Sequence, residues 1–227
     1  MLKLYIGNKN YSSWSMRPWV LLKQAGIPFE EVMVKFDDMA DGSPFKTQMR
    51  QIAPTVRVPV LVDGDVVIWD SLAIAEYLAE IYPQKNLWPA NPKERARARA
   101  LCAEIHAGFG ALRNAFGMNI EAALPHIGQI VLRDQPAVRA DLQRIVAMWS
   151  QQLDQHGNRL LFGDFSIADA YYAPVCMRLR TYALPVPAAV TAYVDRVSAL
   201  PGVKAWAEAA LLEHDFVVFD EPYRAAR

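Results

Sequence analysis

The sequence predicts an α/β domain built on a mixed four-stranded sheet, followed by an all-helical domain. Three observations carry that prediction. Short β-like and helical segments alternate as far as Ile81. A tight hairpin signal, Asp63-Gly64-Asp65, sits between two apolar runs. Beyond Pro92 no strand pattern of any length appears before the tail.

Leu2–Ile6 opens the chain as a strand. Ser15–Ala25 has helical spacing, with Trp19, Leu21 and Leu22 on or near one face, and Gly26 is placed to stop it. Phe29–Val34 alternates as a second strand, and Thr47–Ile52 reads as a short helix. Val58–Val62 and Val66–Ile68 flank the Asp-Gly turn as a hairpin. Asp70–Ile81 closes the block as a helix whose apolar face is Leu72, Ile74, Ala75, Leu78 and Ile81. The order βαβαββα requires one parallel pairing across a helix and one antiparallel hairpin, hence a mixed sheet. Pro83, Pro89 and Pro92 then punctuate a polar stretch, so the expected division is 1–82, a linker over 83–92, and a helical domain over 93–227. Helical runs are expected at Lys93–Phe116, Arg139–Gln155, Ile167–Leu179, Ala188–Ser198 and Val203–Leu212, with Pro174 kinking the third.

Composition removes several function classes. Lysine plus arginine equals aspartate plus glutamate at 24 each, so no overall field favours nucleic acid or an acidic membrane. No apolar run approaches the roughly 20 residues that span a bilayer, and the first strand lacks the flanks of a signal peptide. The expectation is a soluble, cytoplasmic protein. Cys102 and Cys176 are too few and too far apart for a disulfide framework or a metal site, so no metal is expected.

Three local features can carry chemistry. Tyr11-Ser12-Ser13-Trp14-Ser15-Met16-Arg17 lies between the first strand and the first helix, where unpaired N–H groups and the positive end of the helix dipole meet. A hydroxyl there can donate to a thiolate, although Ser15 could also serve as a plain N-cap. Val58-Pro59 places proline at the start of an interior strand; a cis bond would turn the Val58 N–H and C=O outward, while a trans edge-strand proline is the plainer alternative. Asp70-Ser71 opens a helix and matches a ligand with both an ammonium and a carboxylate, or else simply caps the helix.

Taken together, these features closely resemble the glutathione transferase superfamily over essentially the whole chain. The order is a serine loop, Val-Pro about forty-five residues on, and Asp-Ser eleven residues after the proline. Phe162-Gly163-Asp164-Phe165-Ser166-Ile167-Ala168-Asp169 is similar to the family's helix-start motif in the second domain, with Ser166 and Asp169 spaced as a capping box. The loop is closest to the zeta class, whose pattern is Ser-Ser-Cys-Ser-aromatic-Arg. Trp14 stands where zeta enzymes carry the cysteine associated with maleylacetoacetate isomerisation, Met16 replaces the aromatic residue, and Asp70 replaces glutamine or glutamate.

The resemblance implies a thioredoxin-like first domain, glutathione as co-substrate and a homodimer. It puts glutathione at Ser12, Ser13, Trp14 and Arg17, at Arg57, Val58 and Pro59, and at Asp70 and Ser71. The thiol donor is Ser12 by alignment on the zeta loop, or Ser13 by counting back four from Arg17. Tyr11, His106, Gly110, Arg113 and Asn114 are assigned to the second-substrate pocket. His106, Gly110 and Arg113 share a face of the expected long helix, and Gly108 and Gly110 within it suggest a close approach by another backbone or a ligand. His106 is equally readable as a satisfied interdomain histidine, and Arg113 as an ion-pair partner. The expected activity is conjugation of glutathione to a small, hydrophobic electrophile. The alternatives are a glutathione-dependent isomerase of the maleylacetoacetate or maleylpyruvate type, and a non-enzymatic interaction module.

Overall fold

The structure is a computed structural model that describes residues 1–227. Its first part contains β1 (Leu2–Ile6), α1 (Ser13–Gln24), β2 (Phe29–Met33), α2 (Pro44–Arg50), β3 (Val60–Asp63), β4 (Val66–Trp69) and α3 (Ser71–Ile81). The sheet order is β2-β1-β3-β4. β1 pairs with β2 in parallel and with β3 antiparallel, and β3 pairs antiparallel with β4, as the βαβαββα order requires. Gly64, at φ +61, takes the left-handed conformation that the hairpin turn needs.

The second part is helical: α4 (Pro92–Ala107), α5 (Gly110–Ala115), α6 (Pro125–Asp134), α7 (Pro136–Gln155), α8 (Ile167–Thr181), α9 (Ala188–Ala199) and α10 (Pro201–Glu213). None of the helices is long and apolar enough to cross a membrane. One apolar core of 53 buried residues runs from Leu2 to Trp206, so α1 packs into both parts at once. The stretch over 83–92 is less passive than its polarity suggests: Leu87 and Trp88 are buried, and Leu87 C=O accepts the Ile167 N–H at 2.9 Å.

Two helical expectations fail. The single helix over Lys93–Phe116 is broken: Gly108 is extended and Phe109 is left-handed at φ 55. A Cβ on Gly108 would fall 2.7 Å from the Glu104 carbonyl oxygen, so glycine closes α4, and nothing from another element approaches it. The restart is secured by Asp141, whose carboxylate accepts the Leu112 N–H at 2.9 Å. In addition, α6 occupies a stretch with no expected helix. Pro125 stands at the first helical position, where its missing N–H costs nothing, rather than at a break between helices.

Candidate active site

The chain leaves β1 at Ile6 and crosses to α1 through a loop held by two asparagine side chains. Asn8 accepts the Phe36 N–H at 2.7 Å and donates to Asp215 at 2.9 Å. Asn10 donates to Asn119 at 3.0 Å and accepts the Glu121 N–H at 2.9 Å. The loop is thereby fixed against the helical half and the C-terminal tail before it presents any serine.

Ser12 occupies the N-cap position of α1, yet its side chain makes no capping bond. Its Oγ lies 2.7 Å from Ser15 Oγ, which accepts the Gly7 N–H at 3.2 Å. Ser15 therefore ties the first turn of α1 back to β1 and is not the cap. Ser13 is half-buried, and its Oγ accepts from the Arg178 guanidinium at 3.2 Å. The Tyr11 phenol is spoken for: it donates to Glu221 at 2.7 Å, and burial together with that bond pushes its pKa up to about 12.

Trp14 divides the cleft into two adjoining compartments that share Trp14, Arg57 and Val58. The smaller, ≈ 300 Å³, is lined by Pro59, Asp70, Ser71 and His106. The larger, ≈ 430 Å³, holds Tyr11, Ser12, Ser13, Arg113 and Arg178, with Phe219 and Asp220 from the tail. The Val58–Pro59 peptide is cis, and neither the N–H nor the C=O of Val58 is paired within the chain.

Asp70 holds a left-handed backbone, φ 77, while one carboxylate oxygen accepts the Leu72 N–H at 2.7 Å. Its other oxygen is 3.0 Å from His106 Nε2, which joins α4 to the start of α3. Ser71 is buried; its hydroxyl accepts from Arg17 at 3.4 Å and lies 3.2 Å from the Tyr171 hydroxyl. The Arg17 guanidinium is stacked between Trp14, at 4.2 Å, and Tyr171, at 4.7 Å, and its Nε has no partner. Burial lowers its pKa to about 10, so it remains a cation at neutral pH with no carboxylate beside it.

Most of the residues singled out in the sequence thus converge on one cleft; Arg17 lies behind its wall, buried against Trp14 and Ser71, and Gly110 and Asn114 lie away from it. Both are exposed and line neither compartment, because the break at Gly108 swings α5 off the line of α4. On α4, Arg99 forms a forked pair with Glu76 of α3 at 2.8 and 3.0 Å. Arg178, Phe219 and Asp220 are cleft residues with no motif to announce them. Burial, and then the charge of Glu221, raise the Asp220 carboxyl to about 6. Cys102 and Cys176 are buried away from the cleft, and burial pushes both thiols up, so neither is a nucleophile.

Comparison with known proteins identifies the family. Residues 11–81 match the glutathione S-transferase N-terminal domain model and residues 94–209 the C-terminal one. A zeta-class glutathione S-transferase from Euphorbia esula is 32% identical over 176 residues, 76% of this chain and 73% of its own. A probable maleylacetoacetate isomerase from Caenorhabditis elegans is 32% identical over 111 residues, 49% of each chain. Among solved structures, a Burkholderia glutathione transferase homologue with bound glutathione superposes with a TM-score of 0.69 at 28% identity, covering 92% of this chain and 97% of its own. With both domain models matched in order and a zeta-class relative aligned over three quarters of its length, the chain belongs to the glutathione S-transferase family, as a zeta-like enzyme.

Proposed function

We propose that this enzyme joins the glutathione sulfur to a small, largely apolar electrophile, and that the two compartments divide the work. The observation that carries the reading is the continuity of the cleft. Unpaired backbone at Val58, the Asp70-Ser71 helix start and the two loop serines all open on connected space. The smaller compartment suits an extended peptide with an ammonium and a carboxylate at one end. Val58 offers one donor and one acceptor, Asp70 a carboxylate for the amine, and Ser71 a hydroxyl backed by the Arg17 cation.

Bound glutathione supplies the nucleophilic sulfur. A hydroxyl of Ser12 or Ser13 donating to that sulfur favours its ionised form, and the N-terminus of α1 adds its dipole in the same sense. The larger compartment presents Phe36, Met118 and Phe219 to the second substrate. Retention on immobilised glutathione, followed by assay against a panel of aryl and alkyl electrophiles, tests the reading; binding without turnover of any electrophile would reduce the chain to an interaction module.

A second reading, isomerisation of a maleyl-type diacid, is favoured by one observation. Arg113 and Arg178 line the larger compartment without a carboxylate in ion-pair contact, so either could receive a substrate acid group. Trp14 in place of the zeta cysteine weighs the other way. Adding maleyl diacids to the same panel separates the two.

A homodimer is also proposed. Val66 and Val67 on β4 and Ile81 at the end of α3 are exposed apolar side chains, and the proposal is that a second copy buries part of this surface. Light scattering at micromolar concentration should give twice the 25.5 kDa chain mass, and a monomer mass would remove this proposal.

A further inference from the structure

Arg178 lies in the last turn of α8, 6% exposed, and its guanidinium is hydrogen-bonded to neutral oxygens alone. Nε donates to the Phe116 carbonyl at 2.7 Å, Nη1 to the Pro174 carbonyl at 3.3 Å, and Nη2 to Ser13 Oγ at 3.2 Å. The charged and titratable groups around it are Arg17 and Arg113, of like sign, with Tyr182 and Asp220 opposing them. Asp220 makes no ion pair with it, so a buried cation held this way gains from a further negative charge brought beside it. The cleft is where one can arrive, because Arg178 and Ser13 both line the larger compartment.

The contact also constrains the serine. A hydroxyl has one hydrogen to donate and two lone pairs to accept with, and a guanidinium can only donate. Arg178 therefore occupies the oxygen of Ser13, and no acceptor within the chain takes the Ser13 hydrogen. That hydrogen is left for the cleft. A donor whose own oxygen is bonded by a cation is also the stronger donor, since successive hydrogen bonds polarise one another.

We propose that Arg178 is a positioning residue for thiol activation: by holding the Ser13 oxygen, it aims the Ser13 hydrogen at the sulfur of bound glutathione. The proposal rests on the reading that a loop serine stabilises the thiolate, and it selects Ser13 from the two.

The test is the ultraviolet titration of glutathione bound to the wild-type protein, Ser12→Ala, Ser13→Ala, Arg178→Lys and the Ser13→Ala/Arg178→Lys double variant. Lysine keeps the charge but lacks the planar fork that aims Nε, Nη1 and Nη2 at three separate oxygens. Ser13→Ala and Arg178→Lys should each raise the apparent pKa of the bound thiol by about one unit, a fall of about tenfold in the thiolate-to-thiol ratio. The double variant should titrate like Ser13→Ala alone. An Arg178→Lys shift that persists in full on the Ser13→Ala background overturns the proposal, as does an unmoved titration in Ser13→Ala. If only Ser12→Ala moves the titration, the serine reading survives without Arg178; if neither alanine variant moves it, the serine reading itself fails. Should Arg178→Lys not fold, the arginine side-chain N–H resonances of the wild type decide. They should respond to added glutathione, and cease to respond in Ser13→Ala; resonances that never respond would discard the role.

Discussion

At the start of α8, Ser166 and Asp169 turn inward; at the start of α1, Ser12 and Ser13 turn to the cleft. The two openings look alike in sequence, serine before an apolar helix, and their surroundings give them opposite uses. Asp169, fully buried, accepts the N–H groups of Leu161 and Ser166 at 3.2 and 3.0 Å and the hydroxyls of Ser166 and Tyr193 at 3.2 and 3.1 Å. Its acceptor capacity is consumed by the fold. At α1 the capping position is filled, but no side chain caps; of the Ser13, Trp14 and Ser15 N–H groups that open the helix, only that of Ser13 has an acceptor, the Tyr11 carbonyl. One helix start spends its side chains on the fold, while the other lines the cleft with its hydroxyls.

The largest expected effect comes from breaking the α8 side. Asp169→Ala strands several buried donors, each worth about 1–3 kcal/mol, so about 3–5 kcal/mol of stability should be lost in urea denaturation. The titration of bound glutathione in the folded protein should stay where it is. A pH series sharpens the point. Burial holds the Asp169 carboxyl up at about 6, despite its donors. A folded value above the unfolded one means that this contribution to stability is complete below the unfolded value, about 4, and is lost as the pH rises through about 6. Asp169→Asn does not titrate in that window. Its stability deficit against the wild type should therefore be greatest near pH 4 and shrink by pH 7; a deficit that grows across that range would contradict the raised value.

What could be read from the sequence follows the same line. Periodicity located the strands and α3, because alternation and the Asp-Gly turn are local signals. The cleft motifs were legible as an ordered set, although each alone was indistinguishable from a cap. Gly108 was misjudged because a glycine in a helical pattern reads as a cost to be tolerated, whereas here the crowding of the Glu104 carbonyl makes it the end of the helix. Arg178 had a signal that went unused. Ile167–Leu179 is buried at every position, a helix apolar all round, so a charged residue in it had to lie inside the protein. The tail residues Phe219 and Asp220 had none, since their place depends on how Glu221 meets Tyr11 and Arg224.

Asp70 sits between the two uses, capping α3 while lining the cleft, and its replacement should show both at reduced scale. Asp70→Ala should cost about 1 kcal/mol for the lost cap, with less than about 1 kcal/mol more for the half-exposed pair with His106. If the carboxylate also receives the glutathione amine, the KM for glutathione should rise about tenfold, the equivalent of one charge-assisted bond. Steady-state kinetics over a range of glutathione at fixed electrophile measures this. An unchanged KM would give Asp70 the purely structural role that Asp169 has.

The smallest effect discriminates most finely, because it compares one serine with another. Ser166→Ala removes a hydroxyl, 3% exposed, that donates to a carboxylate, and should cost about 1–2 kcal/mol. Ser12→Ala removes a hydroxyl that is equally buried, 4% exposed, but makes no capping bond. Only its contact with Ser15 is lost, and Ser15 keeps the Gly7 N–H. A neutral hydroxyl pair of this kind is worth about 0.5–1 kcal/mol, so Ser12→Ala should be the milder variant in parallel urea melts. Equal burial makes the comparison fair: the two side chains differ in what they bond, not in how deeply they lie. A Ser12→Ala deficit as large as that of Ser166→Ala would mean that the α1 hydroxyl is a fastening of the fold after all. The contrast between the two helix starts would then rest on Ser13 alone, whose oxygen is the one that Arg178 holds.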